Sequence, residues 1–272
     1  MILVNGEKLS SINPGDRAFQ YGDGLFETIA VYKEALLAFD LHLHRLKEGC
    51  SRLGIPCPSE DLLYSECSSL AHGQHKAVIK LIVSRGEGGR GYLPPSQAVP
   101  SRVVMLFPWP DYPSSHASEG VVAGICEGRL SCNAALAGIK HLNRLEQVLL
   151  RKEIGERYVE ALVMDTRGQV IEGIMSNVFI ARGDLLFTPS LQHSGVNGVI
   201  RSAILELAGS MDLAVQAQDI SLDDVLNADE LFFCNSLIGI WPVRELPGRK
   251  YEQLEIARSV LRLLQDNVLV VK

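Results

Sequence analysis

Hydrophobic and polar positions along this chain change period repeatedly, and each change marks an element boundary. Ile2–Asn5 and Glu27–Tyr32 are runs that predict strands, with Ala35–Ala38 as a short hairpin return. Leu43, Leu46, Cys50 and Leu53 recur at helical spacing, which predicts a helix from an Asp40 cap to about Leu53. Ser59–Ala71 is a second expected helix. Lys76–Ser84 and Arg102–Phe107 read as strands on either side of a Gly- and Pro-rich connection.

Pro108, Pro110 and Pro113 deny their segment a helix or a central strand, so an interdomain linker is placed there. The expected division is a domain over 1–110, a linker over 111–119 and a larger domain over 120–272. Beyond it, Val121–Cys126 predicts a strand and Asn143–Glu153 a long helix. Asp165-Thr166-Arg167-Gly168 and Arg182-Gly183-Asp184 are turn chemistry between strand-like runs, which predicts two hairpins. Val199–Ala208 and Ser221–Leu226 read as helices, the second opened by the capping box Ser221-x-x-Asp224. Glu230–Cys234 predicts a strand and Gln253–Leu264 a closing helix. The fold class is therefore mixed α/β (α+β).

Composition narrows the function. The 272 residues are 47% hydrophobic and 21% charged, a globular balance large enough to build a core unaided. With 26 basic and 32 acidic residues the net charge is −6, which argues against a general nucleic-acid binder. No apolar run reaches the ~18–20 residues of a membrane span. The start, Met1-Ile2-Leu3-Val4-Asn5-Gly6, has no basic flank and is not read as a signal peptide. The six cysteines form no Cys-x-x-Cys pair, so free thiols in a cytoplasmic protein are expected.

Several local signals have competing readings. Gly86-Glu87-Gly88-Gly89-Arg90-Gly91 satisfies G-x-G-x-x-G, yet Tyr92-Leu93-Pro94-Pro95 cannot open the helix a dinucleotide needs, so a flexible loop is expected. His42-Leu43-His44 reads as a solvated helix face, since residues two apart on a helix diverge and no cluster completes a metal site. No G-x-S-x-G elbow marks a nucleophile. Lys140 stands in a run almost bare of charge. It is either a snorkelling stem or a desolvated amine able to condense with a carbonyl. Gly195-Val196-Asn197-Gly198 leads into a helix whose start suits a phosphate, with Arg45 as a candidate cation. Glu172 follows Val170-Ile171 and reads as a turn residue or a buried carboxylate.

Taken together these residues resemble the fold-type IV pyridoxal-phosphate enzymes, which include branched-chain and D-amino-acid aminotransferases and aminodeoxychorismate lyases. The resemblance runs from Asp16-Arg17-Ala18-Phe19-Gln20-Tyr21-Gly22-Asp23-Gly24 to Phe233-Cys234-Asn235-Ser236. Two segments, Ala137–Gln147 and Ser84–Tyr92, resemble the lyase branch. The resemblance implies a two-domain enzyme: a small N-terminal α/β domain and a larger C-terminal pseudo-barrel α/β domain. It also implies a homodimer that binds pyridoxal 5′-phosphate. Lys140 matches the Schiff-base lysine and Glu172 the acid at the pyridine nitrogen. Arg45, the Val199 and Ile200 amides, and Asn235 or Ser236 match phosphate contacts. Ser176 and Asn177, of the Ser-Asn-Val-Phe motif, join the cofactor set, while Thr28, Arg90 and Tyr92 match positions facing substrate. The implied reaction takes 4-amino-4-deoxychorismate to 4-aminobenzoate and pyruvate. Transamination of D- or branched-chain amino acids is the nearest alternative, because both reactions share these contacts. A non-catalytic binder and a nucleotide enzyme using the Gly86–Gly91 loop are more distant ones.

Overall fold

Strand pairing and packing in the computed structural model, which describes residues 1–207, 209 and 214–269, divide the chain into two units. The first holds Met1–Pro110 and, from further along the chain, Ile139–Asn143. The second holds Asp111–Gly138 and Arg144–Val268.

The first unit is built from β1 (Ile2–Val4), α1 (Arg17–Tyr21), β2 (Gly24–Tyr32), β3 (Ala35–Leu36), α2 (Phe39–Leu53), α3 (Glu60–Ala71), β4 (Lys76–Ser84) and β5 (Ser101–Pro108). Its sheet is antiparallel throughout, in the order β1-β5-β4-β2-β3. Leu25, Ile29 and Val31, on one face of β2, pack with Leu43, Leu46 and Cys50 of α2. Period two on the strand and period 3.6 on the helix thus bury one shared core. Asp40 does not cap α2: the N-cap is Ala38, in a left-handed conformation, and Asp40 stands in the first turn. There its charge still complements the positive helix end. The five-residue α1 has no periodic pattern to reveal it. Its ends are set by chemistry, Asp16 accepting from the Ala18 N–H and Gly22 closing in the left-handed region.

The second unit comprises α4 (Ser115–Ser118), β6 (Val121–Val122), β7 (Gly124–Leu130), α5 (Leu145–Ile154), β8 (Ala161–Asp165), β9 (Val170–Gly173), β10 (Asn177–Arg182), β11 (Leu185–Pro189), α6 (Val199–Leu207), β12 (Ala214–Gln218), α7 (Leu222–Leu226), β13 (Glu230–Asn235), β14 (Gly239–Leu246), β15 (Arg249–Lys250) and α8 (Glu255–Asn267). One sheet runs β12-β11-β10-β13-β14-β15, with β6 added beside β14; a smaller one runs β7-β8-β9. The expected strand Val121–Cys126 is split, because Ala123 N–H donates to Glu245 C=O while Gly124 N–H donates to Glu160 C=O. The chain changes sheets at that point. Both expected hairpins form, β8 with β9 and β10 with β11. The capping box at Ser221 and Asp224 is complete. Ala208, the expected end of the helix beginning at Val199, lies outside the described residues.

Candidate active site

In the first unit, Lys140 is held by its backbone. Phe26 N–H donates to Lys140 C=O (3.1 Å) and Leu142 N–H to Gly24 C=O (3.0 Å), so residues 139–143 lie antiparallel beside the start of β2. Asn143 Nδ2 closes the clip on Gly22 C=O (3.1 Å). A side chain at Gly22 would meet Asn143, so glycine is required there. Ile139 points into the core, and strand alternation sends Lys140 to the other face. Its Nζ sits 4.3 Å from the Phe26 ring centroid. Thr28 is two residues beyond Phe26 on β2 and therefore on the same face of the sheet. In register it stands opposite Lys80, whose Nζ is 5.2 Å from the same ring. Lys80 was not among the expected site residues; only the pairing of β2 with β4 reveals it.

Arg45 is not on a solvated side of α2. It is 12% exposed and pairs with Glu27, Nε donating to Oε1 (2.8 Å) and Nη2 to Oε2. His42 Nδ1 lies 2.6 Å from Glu27 Oε2. Burial would push the Glu27 carboxyl up, but the Arg45 charge and the hydrogen bonds from His42 and Arg45 hold it at about 2. Burial pulls His42 down, against the pull of Glu27, so the ring is neutral and donates through Nδ1. Thus His42 is a buried partner of Glu27, whereas His44 is on the surface beside Glu48. The two diverge, as the helix requires, but only His44 is solvated.

The loop carrying Arg90 and Tyr92 contains no helix, which excludes the dinucleotide geometry. A Cβ at Gly86 would stand 1.8 Å from Val99 C=O; that glycine serves a close backbone approach. Arg17 ties the loop down, donating to Gly91 C=O (3.0 Å) and Tyr92 C=O (3.1 Å). Tyr92 is 87% exposed, its ring edge-on to Tyr21, and Arg90 is exposed. Arg17 and Arg85 share the Asp23 carboxylate, while Asp16 accepts from Ser84. These charges explain why the Asp16–Asp23 motif is so dense in polar residues.

In the second unit, Glu172 on β9 is 5% exposed and accepts from Val196 N–H at 2.8 Å. Val196 belongs to the turn that opens α6. Gly195 in that turn is in the left-handed region, and a Cβ at Gly198 would stand 1.9 Å from Asn177 Oδ1. Asn177 Nδ2 donates to Val196 C=O (2.8 Å). Arg201 and Ser202 donate to Asn197 Oδ1. The first amides of α6, Val199 and Ile200, have no intrahelical acceptor and are suited to an anion. Ser176 donates to Glu160 (2.7 Å), and Asn235 Nδ2 to Met175 C=O (3.1 Å). Asn235 Oδ1 accepts from Leu237 and Ile238 N–H, making a turn that includes Ser236. Glu160 was missed by sequence reasoning. It is fully buried and gathers the amides of Ala161, Ile174 and Met175 as well as Ser176, shaping the bend between β9 and β10. Nothing local in the sequence distinguishes it from a surface acid.

The donor set fits pyridoxal phosphate chemically. In the first unit an amine suits the aldehyde and a guanidinium suits a phosphate; in the second a buried carboxylate suits the protonated ring nitrogen and helix-start amides suit an anion. Residues 24–246 match the family described as amino-transferase class IV. The chain belongs to that family. The aminodeoxychorismate lyase of Vibrio harveyi is 40% identical over 269 residues, covering 98% of this chain and 99% of its own. The solved 4-amino-4-deoxychorismate lyase from Pseudomonas aeruginosa is also 40% identical, with a TM-score of 0.94 over 99% of this chain and 100% of that one. The branched-chain amino acid aminotransferase of Escherichia coli, 24% identical, shares the class IV fold at a TM-score of 0.85, covering 96% and 92% of the two chains.

Proposed function

We propose that this chain is a pyridoxal-phosphate-dependent lyase that converts 4-amino-4-deoxychorismate to 4-aminobenzoate and pyruvate, a step of folate synthesis. The observation that carries the reading is the end-to-end 40% likeness to two such lyases, one of them superposing at a TM-score of 0.94. When bound, pyridoxal phosphate supplies an electron-accepting ring for the charge left by proton removal beside the substrate amine. Lys140 Nζ takes that proton from the amine-bearing ring carbon and returns one to the departing enolpyruvyl fragment. Pairing with β2 fixes the backbone from which the lysine side chain extends. Glu172 would accept from the protonated ring nitrogen of the bound group, and the Val196 N–H keeps its carboxylate oriented.

Arg45, oriented by Glu27, and the Val199 and Ile200 amides would hold the phosphate, joined by Asn235 or Ser236. Ser176 and Asn177 hold the surrounding backbone in place. Thr28, Lys80, Arg90 and Tyr92 are assigned to the substrate, whose two carboxylates call for cations. The reading includes a cytoplasmic homodimer. One observation supports the dimer: Leu145, Val148 and Leu149 expose apolar surface along one face of α5.

The test supplies cofactor-loaded protein with aminodeoxychorismate, made in situ by its synthase, and follows 4-aminobenzoate. Wild type forms it, and Lys140→Ala lowers the rate by at least about a thousandfold. Equal activity in that variant refutes the assignment of Lys140. Absence of product from loaded wild type favours transamination, the reaction named for the Escherichia coli relative, and a screen of D- and branched-chain amino donors then decides.

A further inference from the structure

Arg17 is 3% exposed, and its guanidinium divides among three acceptors in the first unit. Nε donates to Asp23 Oδ2 (2.8 Å), Nη1 to Gly91 C=O (3.0 Å) and Nη2 to Tyr92 C=O (3.1 Å). Asp23 also accepts from Arg85, at 2.7 Å and 3.0 Å. Burial pushes its carboxyl up, but the hydrogen bonds and charges of Arg85 and Arg17 bring it below its ordinary value. The neighbours of Asp23 hold a different segment: Gly22 C=O accepts from Asn143 Nδ2 and Gly24 C=O from Leu142 N–H. Residues 22–24 therefore anchor the Lys140 segment by backbone and the loop of Arg90 and Tyr92 by a carboxylate and a guanidinium.

That loop has a base and a tip, and they are held differently. At the base, Arg17 N–H donates to Gly86 C=O (2.9 Å) and Gly88 N–H to Gly15 C=O (3.2 Å), around an antiparallel bridge of Asp16 and Glu87. A Cβ at Gly88 would stand 2.7 Å from Arg17 Cδ, so the chain crosses close over the arginine stem. The tip has no strand or helix, and Tyr92 and Leu93 are 87% and 89% exposed, so burial does little to order it. Among the described residues, the hydrogen bonds to the tip come from side chains: the two from Arg17, and Gly91 N–H donating to Tyr21 Oη (3.1 Å). The guanidinium also lies 4.8 Å from the Tyr21 ring centroid, and that ring meets Tyr92 edge-on at 5.6 Å.

We propose that Arg17, aimed by Asp23, is a positioning residue for substrate recognition: it presets the tip that carries Arg90 and Tyr92 and touches no substrate itself. The inference rests on the proposed reaction for what the tip recognises, a substrate with two carboxylates. A tip with so little burial samples many conformations unless something orders it, and binding would then bear that ordering cost. A planar fork gripping two successive carbonyls orders the tip in the free protein, so affinity rises while the chemical step is unchanged. Lysine at this position keeps the charge beside Asp23, but its single ammonium cannot span Asp23 and both carbonyls.

Wild type, Arg17→Gln and Arg17→Lys are compared, each checked by its thermal melt. Arg85 still pairs with Asp23 in both variants and the backbone base is untouched, so both fold. If Arg17→Gln does not fold, Arg17→Lys carries the comparison. In the cofactor-free proteins, limited trypsin cleavage between Arg90 and Gly91, read by mass spectrometry, quickens about tenfold in the variants. In the cofactor-loaded proteins KM for aminodeoxychorismate rises about tenfold and kcat stays within about twofold. Added to Arg90→Ala, the same substitution raises KM by less than about threefold, because both act through one contact. Cleavage at the wild-type rate overturns the inference, as does an unchanged KM, a fall in kcat alone, or full additivity with Arg90→Ala. A loaded wild type that forms no 4-aminobenzoate overturns the proposed reaction instead, and the trypsin comparison still decides whether Arg17 holds the tip.

Discussion

The two units each bury a glutamate completely, and they do so by opposite means. In the first unit Glu27 is met by one cation and a ring N–H: Arg45 grips both oxygens and His42 donates to one. In the second unit Glu160 is met by neutral donors, with Ala161 and Ile174 N–H on Oε1 and Met175 N–H and Ser176 Oγ on Oε2. Burial pushes both carboxyls up. The guanidinium overcomes it at Glu27, which falls to about 2; four neutral hydrogen bonds do not overcome it at Glu160, which stays raised. A full set of hydrogen bonds satisfies geometry, but only an opposite charge offsets the loss of water around an anion.

The largest test of this contrast removes the cation. Arg45→Met strands the Glu27 charge in the core, and urea unfolding of the cofactor-free protein is expected to lose about 3–5 kcal/mol. A loss under 1 kcal/mol would mean that His42 alone suffices.

Acid titration of the same unfolding comes next, because the two residues act with opposite signs. Glu27 has a folded value below its ordinary 4.5, so its contribution is full above about pH 4.5 and is lost as pH falls toward 2. That loss is about 3 kcal/mol. Glu160 has a folded value above 4.5, so the folded state loses stability as pH rises through and beyond that point. Glu27→Gln should flatten the acid limb, whereas Glu160→Gln should flatten the opposing slope above it.

The smallest effect is Glu160→Gln at neutral pH. An amide nitrogen replaces one acceptor and confronts two donors, at a cost of about 1–3 kcal/mol. Amide hydrogen exchange at Ile174 and Met175 should speed up with it. Unchanged protection there would show that the bend between β9 and β10 holds without its carboxylate.

Much of the fold was legible along the chain. Residues 76–84 alternate and β-branch enough to predict β4 to its ends, and the turn chemistry at residues 165–168 and 182–184 sets two hairpins. Local rules succeed there because hydrogen bonding and burial repeat within a few residues. They fail where the partner is remote. β14 contains Pro242, which argues against a strand from sequence, yet its neighbours pair with β13 and β6. In the candidate site, Lys140, Arg45 and Glu172 drew notice through their surroundings and through the family resemblance. Lys80, Glu160 and the Glu27–His42 contact did not, since each depends on a partner distant in the chain.

The sequence by itself determined the periods, the capping box at Ser221, the turns and the family to which the chain belongs, because each is written in neighbouring residues or in a shared motif order. Tertiary structure decided which charges are buried and which partner each one meets. Glu27 and Glu160 are the same residue type, and no local rule separates them. Their different acidities come from Arg45 on a helix and from amides on a bend, brought there by folding, and the strength of such contacts depends on distance and on the exclusion of water.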